Sequence, residues 1–215
     1  MMTNSISNII FDMDGTLVDT AKATVEACRK AAERSGLPPL TETAIKAAMG
    51  IPGLDYYRKI LPGLEEPALR EFARITDDEE KSRIGFLGKA ILFDGIEAAL
   101  GELRAAGYRL FIASTGSKDH VAVSLEAAAI RHYFTAVYCD HPDKAETIRG
   151  IPGLKDPKEW LMVGDKRIDA DAARRNSIFS LGVAFGYCSA DQQEFFDKIV
   201  YHPGEIIEFV RGKTP

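Results

Sequence analysis

Apolar residues along this chain gather into short runs that end abruptly in polar or charged positions. The first is Ile9-Ile10-Phe11, closed by Asp12-Met13-Asp14-Gly15-Thr16. The pattern returns at residues 108–113 before Ser114-Thr115-Gly116, at 160–163 before Gly164-Asp165, and at 178–183 before Ala184-Phe185-Gly186. A weaker run covers 136–139. Such runs read as buried parallel strands with chemistry at their carboxyl ends. Between them the period becomes helical. Residues 96–106 set Ile96, Leu100 and Leu103 at helical spacing and stop at Gly107; residues 119–129 and 169–176 are further helices. This alternation predicts an α/β fold, a parallel sheet with helices on both faces.

The stretch from about 20 to 92 breaks the rhythm. It has no convincing strand, several amphipathic helical patterns, and breakers at Gly36-Leu37-Pro38-Pro39, Gly50-Ile51-Pro52-Gly53 and Pro62-Gly63. Residues 20–35 are alanine-rich, with Val25, Cys28 and Ala32 on one side of a helix. An all-helical block is therefore expected between the first strand and the rest of the sheet. The run Asp77-Asp78-Glu79-Glu80 reads as a solvated helix face.

Composition narrows the function classes. A chain of 215 residues holds one large domain, or an ordinary core plus a smaller insert. It is 46% hydrophobic and 27% charged, with a net charge of -5. That balance is ordinary for a soluble globular protein and gives no electrostatic footprint for nucleic acid. An anionic substrate must be met by local charge or by a metal. Cys28, Cys139 and Cys188 are widely spaced without a CxxC pair, against a disulfide framework or a zinc site. There is no signal-peptide pattern and no run of about 18 apolar residues, so a cytoplasmic location and no membrane partner are expected.

Two carboxylates two residues apart just beyond a strand point the same way, and a hard divalent cation is the usual means of tolerating them. One can attack while the other serves as general acid and base. A lone pair like Asp12 and Asp14 fits a capped turn equally well. Gly164-Asp165-Lys166-Arg167-Ile168-Asp169 supplies a second acid pair at a strand end, with Asp169 also suited to N-cap the following helix. Ser114 after a strand can hold a phosphate oxygen, and a lysine such as Lys144 can keep a neighbouring carboxylate ionised.

FDMDGTLVDT resembles the first motif of the haloacid dehalogenase (HAD) superfamily. Ser114 in LFIAST is similar to its second motif, Lys144 in DKAETI to its third, and Gly164-Asp165 with Asp169 to its fourth, all in family order. The resemblance covers essentially the whole chain and is nearest the phosphoglycolate phosphatase-like subgroup. It implies a three-layer Rossmann-like core at 1–19 and 93–215, with a helical cap domain at 20–92. It implies that Asp12 attacks phosphorus to form an aspartyl-phosphate, while Asp14 protonates the leaving alcohol and then activates water. Ser114, Thr115 and Lys144 would bind the phosphoryl group. Mg2+ would sit on Asp12, the backbone carbonyl of Asp14, and Asp165, with Asp169 in or next to that shell. The implied partner is a small phosphorylated metabolite; the resemblance leaves the oligomeric state open.

Within the superfamily, an acid at Asp14 suits an alcohol leaving group, whereas the haloalkanoate dehalogenases release halide unprotonated. The sugar-phosphate mutases, an alternative using the same aspartyl-phosphate, carry a histidine where this chain has Thr24. Phosphonoacetaldehyde hydrolases use a cap lysine, for which Lys22 and Lys30 are candidates. Lys46 and Gly50 resemble the cap loop of the phosphoglycolate phosphatases, with Lys46 offering charge to a substrate anion; a helix C-terminus with Gly50 in the left-handed conformation fits the same residues. Asn176-Ser177 departs from the usual Ala-Gly and is expected to affect only a turn. A non-catalytic binding or regulatory module on a retired fold is the remaining alternative, and the complete set of acids argues against it.

Overall fold

The computed structural model describes residues 6–51 and 53–212; Pro52, part of the expected breaker after Gly50, lies outside them. The chain runs β1 (Asn8–Phe11), α1 (Ala21–Arg34), α2 (Glu42–Ala48), α3 (Leu54–Ile60), α4 (Glu66–Leu87), α5 (Ile96–Ala105) and β2 (Arg109–Ala113). It continues through α6 (Lys118–Ala127), β3 (Ala136–Tyr138), α7 (Lys144–Arg149), β4 (Trp160–Gly164), α8 (Arg167–Arg175) and β5 (Phe179–Val183). It closes with α9 (Ala190–Gln193), β6 (Lys198–Val200) and α10 (Pro203–Val210).

The strands form one parallel sheet in the order β3-β2-β1-β4-β5-β6. Side chains alternate across it with the period of two that a pleated strand imposes. Ile9, Phe11, Leu110, Ile112, Leu161 and Val163 pack on one face with α5, α6 and α10. Ile10, Phe111 and Met162 pack on the other against Ala145 and Ile148 of α7 and Ala172 and Ala173 of α8. Burial on both faces explains why these runs carry no polar alternation. The last turns of the chain, β6 and α10, complete the sheet edge and had no counterpart among the sequence expectations.

Register positions the chemistry. Phe11 pairs with Ile112 on one side and Val163 on the other. The residues just beyond β1, β2 and β4 therefore emerge level with one another. The chain builds outward from β1 to β3 and then returns to place β4 on the far side of β1. A reversal of that kind opens a crevice at the carboxyl ends of the strands.

The stretch between β1 and α5 folds as α1–α4. Its own apolar contacts are Ala31, Tyr57, Leu69 and Phe72 in one cluster and Val25, Cys28, Ile45 and Ile60 in another. The alanines of α1 let α4 lie close along it, and α4 also packs on α6 of the sheet layer. Val18 on the way out bridges antiparallel to Leu92 on the way back. Asp19 N–H donates to Ile91 O at 2.6 Å and Phe93 N–H to Leu17 O at 3.2 Å. Among the described residues, no helix is long and apolar enough to cross a membrane.

Candidate active site

Asp12 follows β1 directly, and its N–H donates to Val163 O at 2.9 Å. Its carboxylate lies in the crevice with Lys144, whose Nζ is 2.5 Å from Asp12 Oδ1 and 2.5 Å from Asp169 Oδ1. Lys144 opens α7, where Asp143 caps the helix by accepting from the N–H groups of Ala145 and Glu146. Asn176 donates to Ala145 O at 3.0 Å and to Ala172 O at 2.9 Å. It thus ties α8 to the helix that carries Lys144, more than the turn effect expected of it, while Ser177 takes the turn at φ 57°. Only 3% of the Lys144 side chain is exposed. Burial opposes its charge, yet Asp12 and Asp169 together hold its pKa above the ordinary lysine value. Lys144→Ala is expected to leave two buried carboxylates uncompensated. It should cost roughly 3–5 kcal/mol in metal-free urea unfolding, and an unchanged midpoint would contradict the pairing.

Asp169 does not N-cap α8; that position is held by Lys166. Asp169 instead stands in the first turn, its Oδ2 accepting from the N–H groups of Asp165 at 3.1 Å and Lys166 at 3.0 Å. With Lys144 on its other oxygen, it braces both the loop and the ammonium. Asp165 Oδ1 accepts from Thr16 Oγ1 at 3.2 Å, while its Oδ2 is buried without a partner. Two glycines permit this crowding. A Cβ on Gly15, at φ 87°, would come within 2.6 Å of Asp165 Oδ2, and one on Gly164 within 2.4 Å of Asp169 Cγ.

Oxygens of Asp12, Asp165 and Asp169 lie within 4.8 Å of one another. Burial pushes the Asp12 carboxyl up to about 7 despite Lys144, with Asp169 adding to the rise. Burial, then Asp12 and Asp169, raise Asp165 well above the usual carboxylate range. One ammonium among three buried carboxylates leaves negative charge uncompensated. The orphaned Asp165 oxygen and the all-oxygen donor set fit a hard divalent cation.

Asp14 turns its carboxylate away from this cluster, so its expected share in a metal shell rests on its backbone carbonyl alone. Asp14 Oδ1 is 2.9 Å from Nε2 of His120, and His120 Nδ1 is 3.3 Å from Oε2 of Glu80. Glu80 Oε1 accepts a short hydrogen bond from the Thr24 hydroxyl. Burial disfavours a charged ring, but Asp14 and then Glu80 hold the His120 pKa well above the ordinary histidine value. Burial would raise Asp14; the His120 charge and hydrogen bond, with Thr20 and Lys144, outweigh it and keep that carboxyl low.

The acidic run of α4 is therefore not one solvated face. Asp78 is exposed and pairs with Arg74, whereas Glu80 is only 13% exposed and Asp77 accepts from the Tyr57 hydroxyl, both lining the crevice. His120 and Glu80 were not anticipated. The available signal was a histidine two residues into a helix that starts just after Ser114.

Ser114 is buried; its N–H donates to Tyr138 O at 3.0 Å and its Oγ accepts from Gly116 N–H at 3.0 Å. Ser114, Thr115, Asp12, Asp14, Lys144 and Asp169 share a cavity of about 240 Å³, closed above by residues of α1, α3 and α4. Gly50, at φ 94°, lines it as well. Lys46 does not. Its Nζ pairs with Glu42 at 2.7 Å on the outer side of α2, since a residue four positions on shares that helix face. The cation at the Gly50 edge is Lys166, whose Cγ would lie 3.8 Å from a Cβ on Gly50. Lys166 donates to Tyr187 O at 3.2 Å and lies over that tyrosine ring. Lys22 and Lys30 are outside the cavity, Lys22 donating to Ala90 O and Lys30 pairing with Glu26.

Residues 9–183 match the model of the haloacid dehalogenase-like hydrolase family, and the chain belongs to that family. Two relatives are each 31% identical. A phosphoglycolate phosphatase of Agrobacterium fabrum is covered over 96% of this chain and 90% of its own length. The tyrosine-protein kinase PtkA of Mycobacterium tuberculosis is covered over 93% and 70% respectively. Among solved structures, the haloacid dehalogenase-like hydrolase SP0104 of Streptococcus pneumoniae superimposes with a TM-score of 0.81. It is 26% identical, over 96% of this chain and 99% of that one.

Proposed function

We propose that this chain is a magnesium-dependent phosphatase that hydrolyses a small phosphate ester through an aspartyl-phosphate on Asp12. The observation that carries the reading is the buried Asp12 carboxylate lining the cavity, 2.5 Å from Lys144, with Asp14 on the same loop. Ser114, Thr115 and Lys144 would hold the phosphoryl oxygens. His120 keeps Asp14 ionised at rest, so Asp14 would take up a proton as the phosphate dianion binds. An Asp12 oxygen then bonds to phosphorus as the ester P–O bond breaks, and the departing alkoxide takes that proton. In the second half Asp14 takes a proton from water as it attacks the same phosphorus, releasing phosphate and restoring the Asp12 carboxylate. Held by Asp12, Asp165 and the Asp14 backbone carbonyl, with Asp169 beside it, magnesium would supply positive charge to the phosphoryl oxygens.

Thr24 supports hydrolysis over mutase chemistry. Its hydroxyl is already committed to Thr20 O and Glu80, and the residue offers no base in place of the mutase histidine. The test is phosphate release from a panel of glycolate, sugar, nucleotide and glycerol phosphates with magnesium present. Turnover of at least one ester, lost in EDTA, is expected; a silent panel would sink the reading.

A phosphoglycolate-like substrate needs a cation for its second anion, and Lys166 rather than Lys46 supports it. Lys166→Met is expected to raise KM about tenfold for phosphoglycolate while leaving KM for glycerol phosphate within about twofold, the scale of one charge-assisted contact. Equal changes for both esters would remove Lys166 from substrate recognition.

A further inference from the structure

His120 stands where three parts of the molecule meet. The ring is carried by α6 in the sheet layer, Asp14 by the loop after β1, and Glu80 by α4 of the inserted helices. Nε2 reaches Asp14 Oδ1 at 2.9 Å while Nδ1 reaches Glu80 Oε2 at 3.3 Å, so both edges of the ring are engaged at once. Each anchor is itself held. The His120 N–H donates to Ser117 Oγ at 3.3 Å, which fixes the start of α6. Glu80 Oε1 and Thr20 O, the latter at 2.9 Å, share the single Thr24 hydroxyl proton. The backbone of Asp14 is bridged to Val18. Its carboxyl, by contrast, is held by the side-chain contact with His120.

An imidazole is a rigid spacer. With Glu80 against one edge, rotation of the ring is blocked and the opposite N–H is aimed at Asp14. With Glu80 withdrawn, the ring is free to turn and Asp14 loses its guide. We infer that His120 is a positioning residue that aims Asp14 at the leaving oxygen, and that Glu80 makes this aim depend on the seating of α4. The role in turnover rests on the phosphatase reading above; the contact itself does not. A misplacement of about 1 Å in a proton donor can cost on the order of 10²-fold, which is the scale one ring can control.

A structural role alone would slow all substrates together, so the test varies the leaving group. An alkyl ester such as glycerol phosphate needs a proton at its departing oxygen, whereas p-nitrophenyl phosphate releases a stable anion unaided. The quantity compared is kcat/KM, which ends at formation of the phosphoenzyme. His120→Phe is expected to lose about 10²-fold on glycerol phosphate and less than about threefold on p-nitrophenyl phosphate. His120→Gln, which restores an N–H donor, should recover most of the loss. Glu80→Ala should lose about tenfold with the same preference, and the double variant should be no worse than His120→Phe alone. Equal losses on both esters, failure of glutamine to rescue, or multiplicative losses in the double variant would overturn the assignment.

A second measurement is independent of turnover. The His120 ring signals in NMR should move in both Asp14→Asn and Glu80→Ala, and a ring that ignores either change would overturn the bridge. If the parent hydrolyses no ester of the wider panel, the phosphatase reading falls while the ring shifts still decide the contact.

Discussion

Asp12→Asn is expected to abolish phosphate release, with kcat down by about 10⁴-fold or more, the scale seen when a nucleophile is removed. The amide keeps the shape of the side chain, so the sheet and the Lys144 contact geometry should persist. A radiolabelled ester should leave label on the parent protein after denaturation, sensitive to hydroxylamine as an acyl phosphate is. The asparagine variant should carry none. Turnover near that of the parent would refute Asp12 as the nucleophile and redirect attention to water activated elsewhere in the crevice.

The second large effect concerns metal removal. Three buried carboxylates share one ammonium, and the Asp12 carboxyl is pushed up to about 7 from an ordinary 3.8. A carboxyl with a raised pKa binds its proton more tightly folded than unfolded. Its contribution is present in full below about 3.8 and is lost as pH rises through about 7. Asp165, also raised, acts in the same direction. In EDTA the protein should therefore lose stability between about pH 4 and 7. The shift of about three pKa units at Asp12 corresponds to on the order of 4 kcal/mol. Magnesium should flatten the dependence, since a bound cation compensates the charge that protons otherwise neutralise. Melting curves at several pH values, with and without EDTA, make the comparison. Asp12→Asn should show a shallower slope in EDTA, and a flat profile for the parent would mean that the carboxylates are balanced by something other than a metal.

How much of this was legible beforehand depends on range along the chain. Ile9-Ile10-Phe11 and residues 160–163 announce buried strands because each is apolar on both faces, and their polar ends locate Asp12 and Asp165 without further information. Ser114 and Lys144 gain meaning only from motif order, which carries them into the same crevice. Orientation across elements was not legible. Nothing in Asp77-Asp78-Glu79-Glu80 says that the helix turns Glu80 inward toward His120 and Asp78 outward to Arg74. Periodicity placed Lys46 on a helix, but only packing shows that its face of α2 is the outer one. For Asp169 the sequence suits both a metal shell and the start of α8, but it does not show oxygens serving Lys144 and two backbone N–H groups, a tertiary arrangement made possible by the missing side chain at Gly164. The short edge strand β6 is set by pairing with β5 rather than by any pattern of its own.

The antiparallel bridge between Val18 and Leu92 has a consequence for how such a protein can change. From the sheet's side, the whole helical excursion departs and returns through a doorway one hydrogen-bonded pair wide. The strands therefore register almost none of its length. Helices could be lengthened, exchanged or reshaped beyond that doorway while Asp12 and Lys144 kept their separation. The excursion also meets the sheet layer where α4 packs on α6, and there the ring of His120 reads it directly through Glu80. Any replacement for α4 would have to present an acceptor at that point, or carry out the chemistry with a less well-aimed Asp14. In this molecule, selection on the substrate roof and selection on the reaction meet at that imidazole.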